Sequence, residues 1–471
     1  MLFNSFTFVV FAILFFSVWA MLRKQTHRLF WLTAMSLLFY GWGDWRFLFL
    51  LLANGLVDFG AALLIERFPA RKRLWLLLSL SSNVGCLAAF KYLGFFTVNL
   101  NAALEALGAG HFPIIQLVLP FGISFYTFHS MSYTIDVYRG HFRPVHSLLH
   151  FLSFLSLFPA LVAGPIMRGA SLLPQLVEFR RTTEESRWSG LKLIAQGLFM
   201  KMVIADNVAP IVNEAFNQAA PVASMPFWWI IITMFAMQIY CDFCGYSLIA
   251  LGLGRWIGLE LPENFRHPYL ALSVKEFWTR WHISLSTWFR DYVYIPLGGS
   301  RDGSAAAYRN MWITMLISGL WHGAAWTFII WGALHAGFLT IERLFKLQEF
   351  LARFTFGRVL SWILLIVQVW MGWVFFRSES LSQALQTVGI MWNVRDWNLA
   401  PVAELLALNQ RAIAALGLGV LMELGAALRV SRLRFPRLAP LSIPAPVAVA
   451  LVLVTCVYWR GPGSAFIYFQ F

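Results

Sequence analysis

Charge is scarce in this sequence. Asp, Glu, Lys and Arg make up 12% of the 471 residues, against 59% hydrophobic. Soluble domains carry about 25% charged residues, so no part of the chain is polar enough to form one. Acidic residues are the scarcer sign, with 22 Asp+Glu against 36 Lys+Arg, a net charge of +14. That excess does not describe a nucleic-acid surface. It collects at the ends of apolar runs, in "RKQTHR" (Arg23–Arg28), "ERFPARKR" (Glu66–Arg73) and "RVSRLRFPR" (Arg429–Arg437), and no RNA- or DNA-binding motif interleaves with it. Such clusters read as cytoplasmic loops beside anionic lipid. Cysteine is also sparse: Cys86, Cys241, Cys244 and Cys456. Cys241 and Cys244 form a C-x-x-C with no second pair at zinc spacing, so they read as small packing residues and no metal is expected. There is no internal repeat and no pair of matching broken helices, which argues against a transporter built of two halves.

Apolar runs dominate instead. The first, "MLFNSFTFVVFAILFFSVWAML", has no basic segment before it and no small-x-small site after it, so it reads as a span and not a cleaved leader. Arg23 and Lys24 follow it, which puts the N-terminus outside. Further runs are Leu29–Tyr40 continuing through Phe47–Leu64, Leu74–Phe90, Leu117–Ser130, Val145–Ile166, Leu191–Val208, Phe227–Cys241, Asn310–Ile341, Val359–Phe376, Ala412–Leu428 and Leu438–Trp459. About 20 apolar residues cross a ~30 Å hydrocarbon core. Spans must satisfy their backbone internally, and these runs are too long and too evenly apolar for barrel strands. The expectation is an all-α, polytopic transmembrane bundle of about ten to twelve segments, one domain over residues 1–471. Short runs such as Leu117–Ser130 suggest re-entrant or broken helices.

Unusual residues concentrate in residues 241–341, which read as the catalytic block. "SVKEFWTRWHISLSTWFRDYVY" has Ser273 and Glu276 at capping-box spacing. Trp278, Trp281, Leu285 and Trp288 recur every three or four residues, as on an amphipathic helix lying in the membrane interface. Arg280 and Arg290 on it are candidates to hold a polyanion such as the phosphates of coenzyme A, since guanidinium binds phosphate bidentately; snorkelling to headgroups is the alternative for them, and the preferred reading for Lys275. His282 sits in "RWHISLS". His322 sits in "SGLWHGAAW", inside a run from Asn310 to Ile341 that contains no Asp, Glu, Lys or Arg. An ionisable group at membrane depth is a functional candidate, and desolvation keeps a buried imidazole neutral and able to act as a base. Gly319 and Gly323 would let another backbone or a substrate approach. His335 reads as a packing residue at even weight; Asp136 and Asp242 read as structural.

Taken together, "LPFGISFYTFHSMSYTIDVYRG", "FPALVAGPIMR", "DFCGYS", "PENFRHPY", "EFWTRWHISLSTWFRDYVYIPLGG", "GLWHGAAWTFIIWGALH" and the final "FIYFQF" resemble the membrane-bound O-acyltransferases, in particular the bacterial branch containing the alginate O-acetyltransferase membrane subunit. The resemblance implies a bundle with a central funnel or tunnel, His322 as the essential histidine and His282 as the second characteristic one. It implies an acyl thioester used from the cytoplasmic face of the bacterial inner membrane and transfer outward; acetyl-CoA is the working hypothesis for the donor, with a carrier-protein thioester as the alternative, and no metal is expected. It also implies an SGNH-type periplasmic or membrane-anchored partner that completes transfer to a polysaccharide hydroxyl. Two departures stand out. Cys244 and Leu248 occupy positions where alginate-type members commonly show Ser and Asp, which leaves the acceptor open, and Thr279-Arg280 replaces a common Arg-Arg pair, so one cation is missing. The working mechanism has His322 as general base on the acceptor hydroxyl and His282 orienting the acceptor or polarising the thioester carbonyl. Peptidoglycan or cellulose O-acetylation and teichoic-acid D-alanylation remain alternatives, as do a transporter with a histidine relay and a non-catalytic scaffold.

Overall fold

The computed structural model describes residues 1–218, 220–430 and 444–467. The described residues are helical, with no strand among them. Among the described residues, five helices are long and apolar enough to cross a bilayer: Arg46–Arg67, Pro69–Ala106, Met225–Ile257, Gly357–Arg377 and Gln410–Leu428. The chain is therefore a polytopic helical membrane protein. Shorter apolar helices run over Phe6–Met21 and Ala445–Tyr458. The last part of the basic "RVSRLRFPR" cluster, the start of the Leu438–Trp459 run and most of "FIYFQF" lie outside the described residues.

The chain divides into two compact units, residues 1–194 with 249–262, and residues 195–248 with 263–471. In the first unit the expected run from Leu29 to Leu64 becomes two helices, Gln25–Gly41 and Arg46–Arg67, because Asp44 takes both the backbone N–H and the guanidinium of Arg46 and starts a new helix. Phe11, Phe15, Phe39 and Phe158 interlock as its aromatic core. Asp58 is fully buried. It accepts from Ser79 Oγ (2.5 Å), from Asn83 Nδ2 (2.9 Å) and from Ser130 Oγ, so one carboxylate ties three helices together and its desolvation is offset by neutral donors. The expected run Leu117–Ser130 is a non-helical approach over 117–122 followed by the first turns of the helix Ile123–Arg139, entered through Gly122 at φ 73°.

The expected run Phe227–Cys241, in the second unit, is the first half of a 33-residue helix, Met225–Ile257, most of which is buried and whose residues from 249 on belong to the first unit. The run Asn310–Ile341 is not one span. It folds as two helices, Gly303–His322 and Trp326–Leu344, packed against each other. Glycine permits that approach. A Cβ on Gly319 would meet the Phe328 carbonyl oxygen, and one on Gly332 would meet the carbonyl of Met315, so the two backbones touch in the small-residue manner of membrane helix pairs.

Candidate active site

The segment expected to be one amphipathic helix is built from three pieces. Ser273 Oγ accepts from the Glu276 N–H at 3.0 Å, and the Glu276 carboxylate accepts from the Leu272 N–H at 2.8 Å, so the predicted cap exists. The helix Val274–Arg280 then stops. His282 takes the left-handed conformation, φ 42° and ψ 54°, and starts a second helix, Ile283–Phe289, followed by a π-turn over Arg290–Tyr294. A non-glycine residue held there costs of order 1–3 kcal/mol unless its surroundings enforce it. They do. Arg266 N donates to Arg280 O and Ile283 N to Asn264 O, both at 2.9 Å. Asn264 Oδ1 accepts from Ser284 Oγ at 2.6 Å, and Asn264 Nδ2 donates to Ser247 Oγ at 3.1 Å. Residues 264–266 therefore clamp both sides of the break.

The break turns the His282 imidazole into the core, where it is 0% exposed. Phe243 stands edge-on to it at 4.6 Å between ring centres. His322, 3% exposed, is the last residue of its helix, and Gly323 caps it. Its ring is 5.0 Å from Trp321, 4.9 Å from Trp331 and 5.4 Å from Phe376. Trp321 is also 6.2 Å from His282. One indole thus lies against both imidazoles, and residues forty apart in sequence meet in an aromatic cage. His335 shares Trp331 with His322, at 4.8 Å, and lies 5.1 Å from Trp278; it belongs to the same cluster.

A cavity of about 320 Å³ reaches this cluster, lined by Ile283, Ser286, Phe289, Arg290, Tyr294 and Ser318 among others. Ile283 follows His282, and Ser318 is one helical turn before His322. Neither imidazole is itself a lining residue. Phe289 lines the cavity and packs on Trp321 at 6.5 Å, so the cavity wall adjoins the indole that both histidines share. A second cavity, about 930 Å³, shares Trp278, Arg290 and Tyr294 with the first and carries charge: Lys275, Arg343 and Lys346, with Glu342 and Glu349.

Of the two arginines singled out, Arg290 lines both cavities while its Nε holds Asp291 at 2.7 Å. Arg280 is engaged elsewhere, with Glu276 at 2.6 Å and the Arg266 carbonyl at 3.4 Å, and lines neither cavity. Lys275, read as a snorkelling residue, is on the wall of the larger one, as are Arg343 and Lys346, which the sequence reading did not pick out.

A polar cluster behind His282 was also missed. Lys201, 6% exposed, reaches Asp206 and Asp242, each at 2.8 Å. Both carboxylates hold the C-terminal segment: Asp206 Oδ1 accepts from Ser464 Oγ at 2.6 Å and Asp242 Oδ2 from Ile467 N at 2.8 Å. Phe466, between them, lies 5.8 Å from Phe243, the ring against His282. Asp242 is structural, as its residue type suggested, but its partner is a lysine. The signal was available: Lys201 is the one cation in "GLFMKMVIADNV", and a lone charge in an apolar run needs a partner.

Comparison with known proteins fits this geometry. Residues 139–381 match the model of the membrane-bound O-acyltransferase family. The chain is 39% identical over 426 residues to a probable alginate O-acetylase of Azotobacter vinelandii, covering 90% of this chain and 83% of that protein. It is 36% identical over 402 residues to a peptidoglycan O-acetyltransferase of Helicobacter pylori, covering 79% of this chain and 75% of that protein. A teichoic acid D-alanyltransferase of Bacillus subtilis matches at 30% over 253 residues, half of this chain and 62% of that protein. Fold and matches together define a membrane-embedded acyltransferase that acts on hydroxyl acceptors. The chain belongs to the membrane-bound O-acyltransferase family.

Proposed function

We propose that the protein moves an acetyl group from acetyl-CoA, bound at the cytoplasmic face of a bacterial inner membrane, outward for O-acetylation of an extracytoplasmic polysaccharide. The observation that carries this reading is the shared contact of His282 and His322 with Trp321, beside an apolar cavity that shares Arg290 with a second, cation-lined one. Arg290, Lys275 and Arg343 would hold the phosphates of the donor, and the apolar inner cavity would take its thioester arm. In this scheme His322 accepts the proton of the acceptor hydroxyl as the oxygen attacks the thioester carbonyl. The C–S bond then breaks and the thiol leaves, taking up a proton. His282 orients the acceptor or polarises the carbonyl. A positioned base of this kind contributes ~10²–10⁴-fold. Residues 241–341, which carry both histidines and Arg290, are the catalytic block of this scheme, and an SGNH-type partner completes transfer outside, the N-terminus lying on that side.

Peptidoglycan O-acetylation and teichoic-acid D-alanylation are the second reading, favoured by the names of the Helicobacter and Bacillus relatives. The test is His322→Ala in cells, with polymer acetylation measured at matched membrane expression. Loss of acetylation supports the assignment; acetylation near the wild-type level removes it.

A further inference from the structure

Five arginines from two distant stretches of sequence surround one cavity of the first unit. Arg23, Arg28, Arg180, Arg181 and Arg187 line a space of about 680 Å³, with no acidic side chain among its described lining residues. Two of the five are fixed. Arg28 Nε donates to Leu22 O at 2.8 Å, and its guanidinium lies 5.3 Å from the Trp19 ring centre. Arg180 pairs with Glu260 at 2.6 Å. The other wall is aromatic: Phe16 and Trp19 line it with Trp256, whose ring stands edge-on to Phe16 at 5.3 Å. Trp256 also donates its indole N–H to the Arg187 carbonyl at 2.8 Å, so the aromatic wall and the basic rim are joined.

Snorkelling arginines spread along a membrane edge would not need a concave site. These converge; Arg180 has Glu260, and the other four like charges around one hollow repel each other unless an anion sits among them. Guanidinium matches phosphate oxygens in pairs, while Phe16 and Trp19 suit a hydrocarbon chain. Arg23 lies two residues beyond the apolar helix Phe6–Met21, at the depth where headgroups meet the end of a span. A ligand that is phosphate at one end and hydrocarbon at the other satisfies both walls. We infer that this cavity binds an anionic phospholipid through its phosphate, with phosphatidylglycerol as the simplest case. A soluble phosphate compound shares the headgroup chemistry but leaves the aromatic wall unused.

The test uses the full chain in nanodiscs of mixed phosphatidylcholine and phosphatidylglycerol, with retained lipid measured by native mass spectrometry. R181Q/R187Q removes two exposed rim charges; R71Q/R73Q removes two exposed charges elsewhere in the same unit. Preferential phosphatidylglycerol retention is expected to fall about fivefold per rim charge removed, while R71Q/R73Q, which weakens only the general attraction of a basic loop for anionic lipid, lowers it by a clearly smaller factor. Equal losses in both double variants would reduce the site to general surface charge and overturn the proposal, as would no loss in R181Q/R187Q. Displacement of the lipid by excess inorganic phosphate or free coenzyme A would also overturn it, in favour of a soluble ligand. If the double variant fails to fold, R181Q alone, in the non-helical stretch before residue 184, is read for half the logarithmic effect.

Discussion

Replacing Lys201 by methionine isolates the buried cluster behind His282. The lysine Nζ is 2.8 Å from each of two carboxylates that are themselves buried. Removing one member of such a pair costs about 3–5 kcal/mol, because a charge is left desolvated without its partner. At about 1.4 kcal/mol per factor of ten, the docking equilibrium of the segment bonded through Ser464 and Ile467 falls by roughly two to three and a half powers of ten. The neutral triple variant K201M/D206N/D242N behaves differently. Each new amide keeps an oxygen able to accept from Ser464 or Ile467, and no charge remains, so its stability returns to within about 1 kcal/mol of wild type. Hydrogen exchange at the Ser464 and Ile467 amides reads docking, and thioester-dependent acyl transfer reads the consequence for His282 through Phe466 and Phe243. K201M is expected to exchange fast and lose activity, with both restored in the triple variant. If K201M keeps wild-type protection and activity, or the triple variant is as damaged as the single one, the electrostatic account of this latch is wrong.

Other outcomes follow from the same geometry. His282→Gly keeps access to φ 42° but removes a buried imidazole, so it should fold with a melting temperature lowered by the cavity left behind and lack transfer, whereas His282→Val, which cannot take that φ, should lose folded yield as well. Gly319→Leu drives a side chain into the Phe328 backbone and should abolish recovery of folded protein in detergent. Arg290→Ala, which removes a cation from both cavities, should raise KM for the donor about 10–100-fold with a smaller change in kcat, the value of one charge-assisted phosphate contact; an unchanged KM would remove Arg290 from the donor site. Phe289→Ala removes the cavity-lining ring that packs on Trp321 and should lower kcat/KM without lowering expression.

Much of this was legible in the residues, and the failures have physical causes. Scarce charge and long apolar runs sufficed for a helical membrane protein. Ser273 and Glu276 announced a helix start that the structure keeps. The helix end at Arg280 was invisible because Trp281–His282 contains no glycine or proline, and the apolar periodicity carries on across it. The break is enforced from outside, by Asn264 and Arg266, which local sequence cannot report. Gly319 and Gly323 were read as places of close approach, which they are, yet the run around them folds back on itself where one span was expected. Arg280 and Glu276 sit at i and i−4 on one helix turn, a spacing that offers the arginine an ion pair before any phosphate. Lys275, Arg343 and Lys346 meet on one cavity wall only after the chain has folded.

The most direct measurement is single-turnover release of free thiol from radiolabelled acetyl-CoA by the purified full chain in proteoliposomes, wild type against His322→Ala, with a hydroxylic acceptor present. The account predicts thioester-dependent release by the wild type and a rate lower by ~10²–10⁴-fold in the variant. Release by His322→Ala at the wild-type rate would contradict it, and so would substrate-dependent ion flux with no thioester consumed.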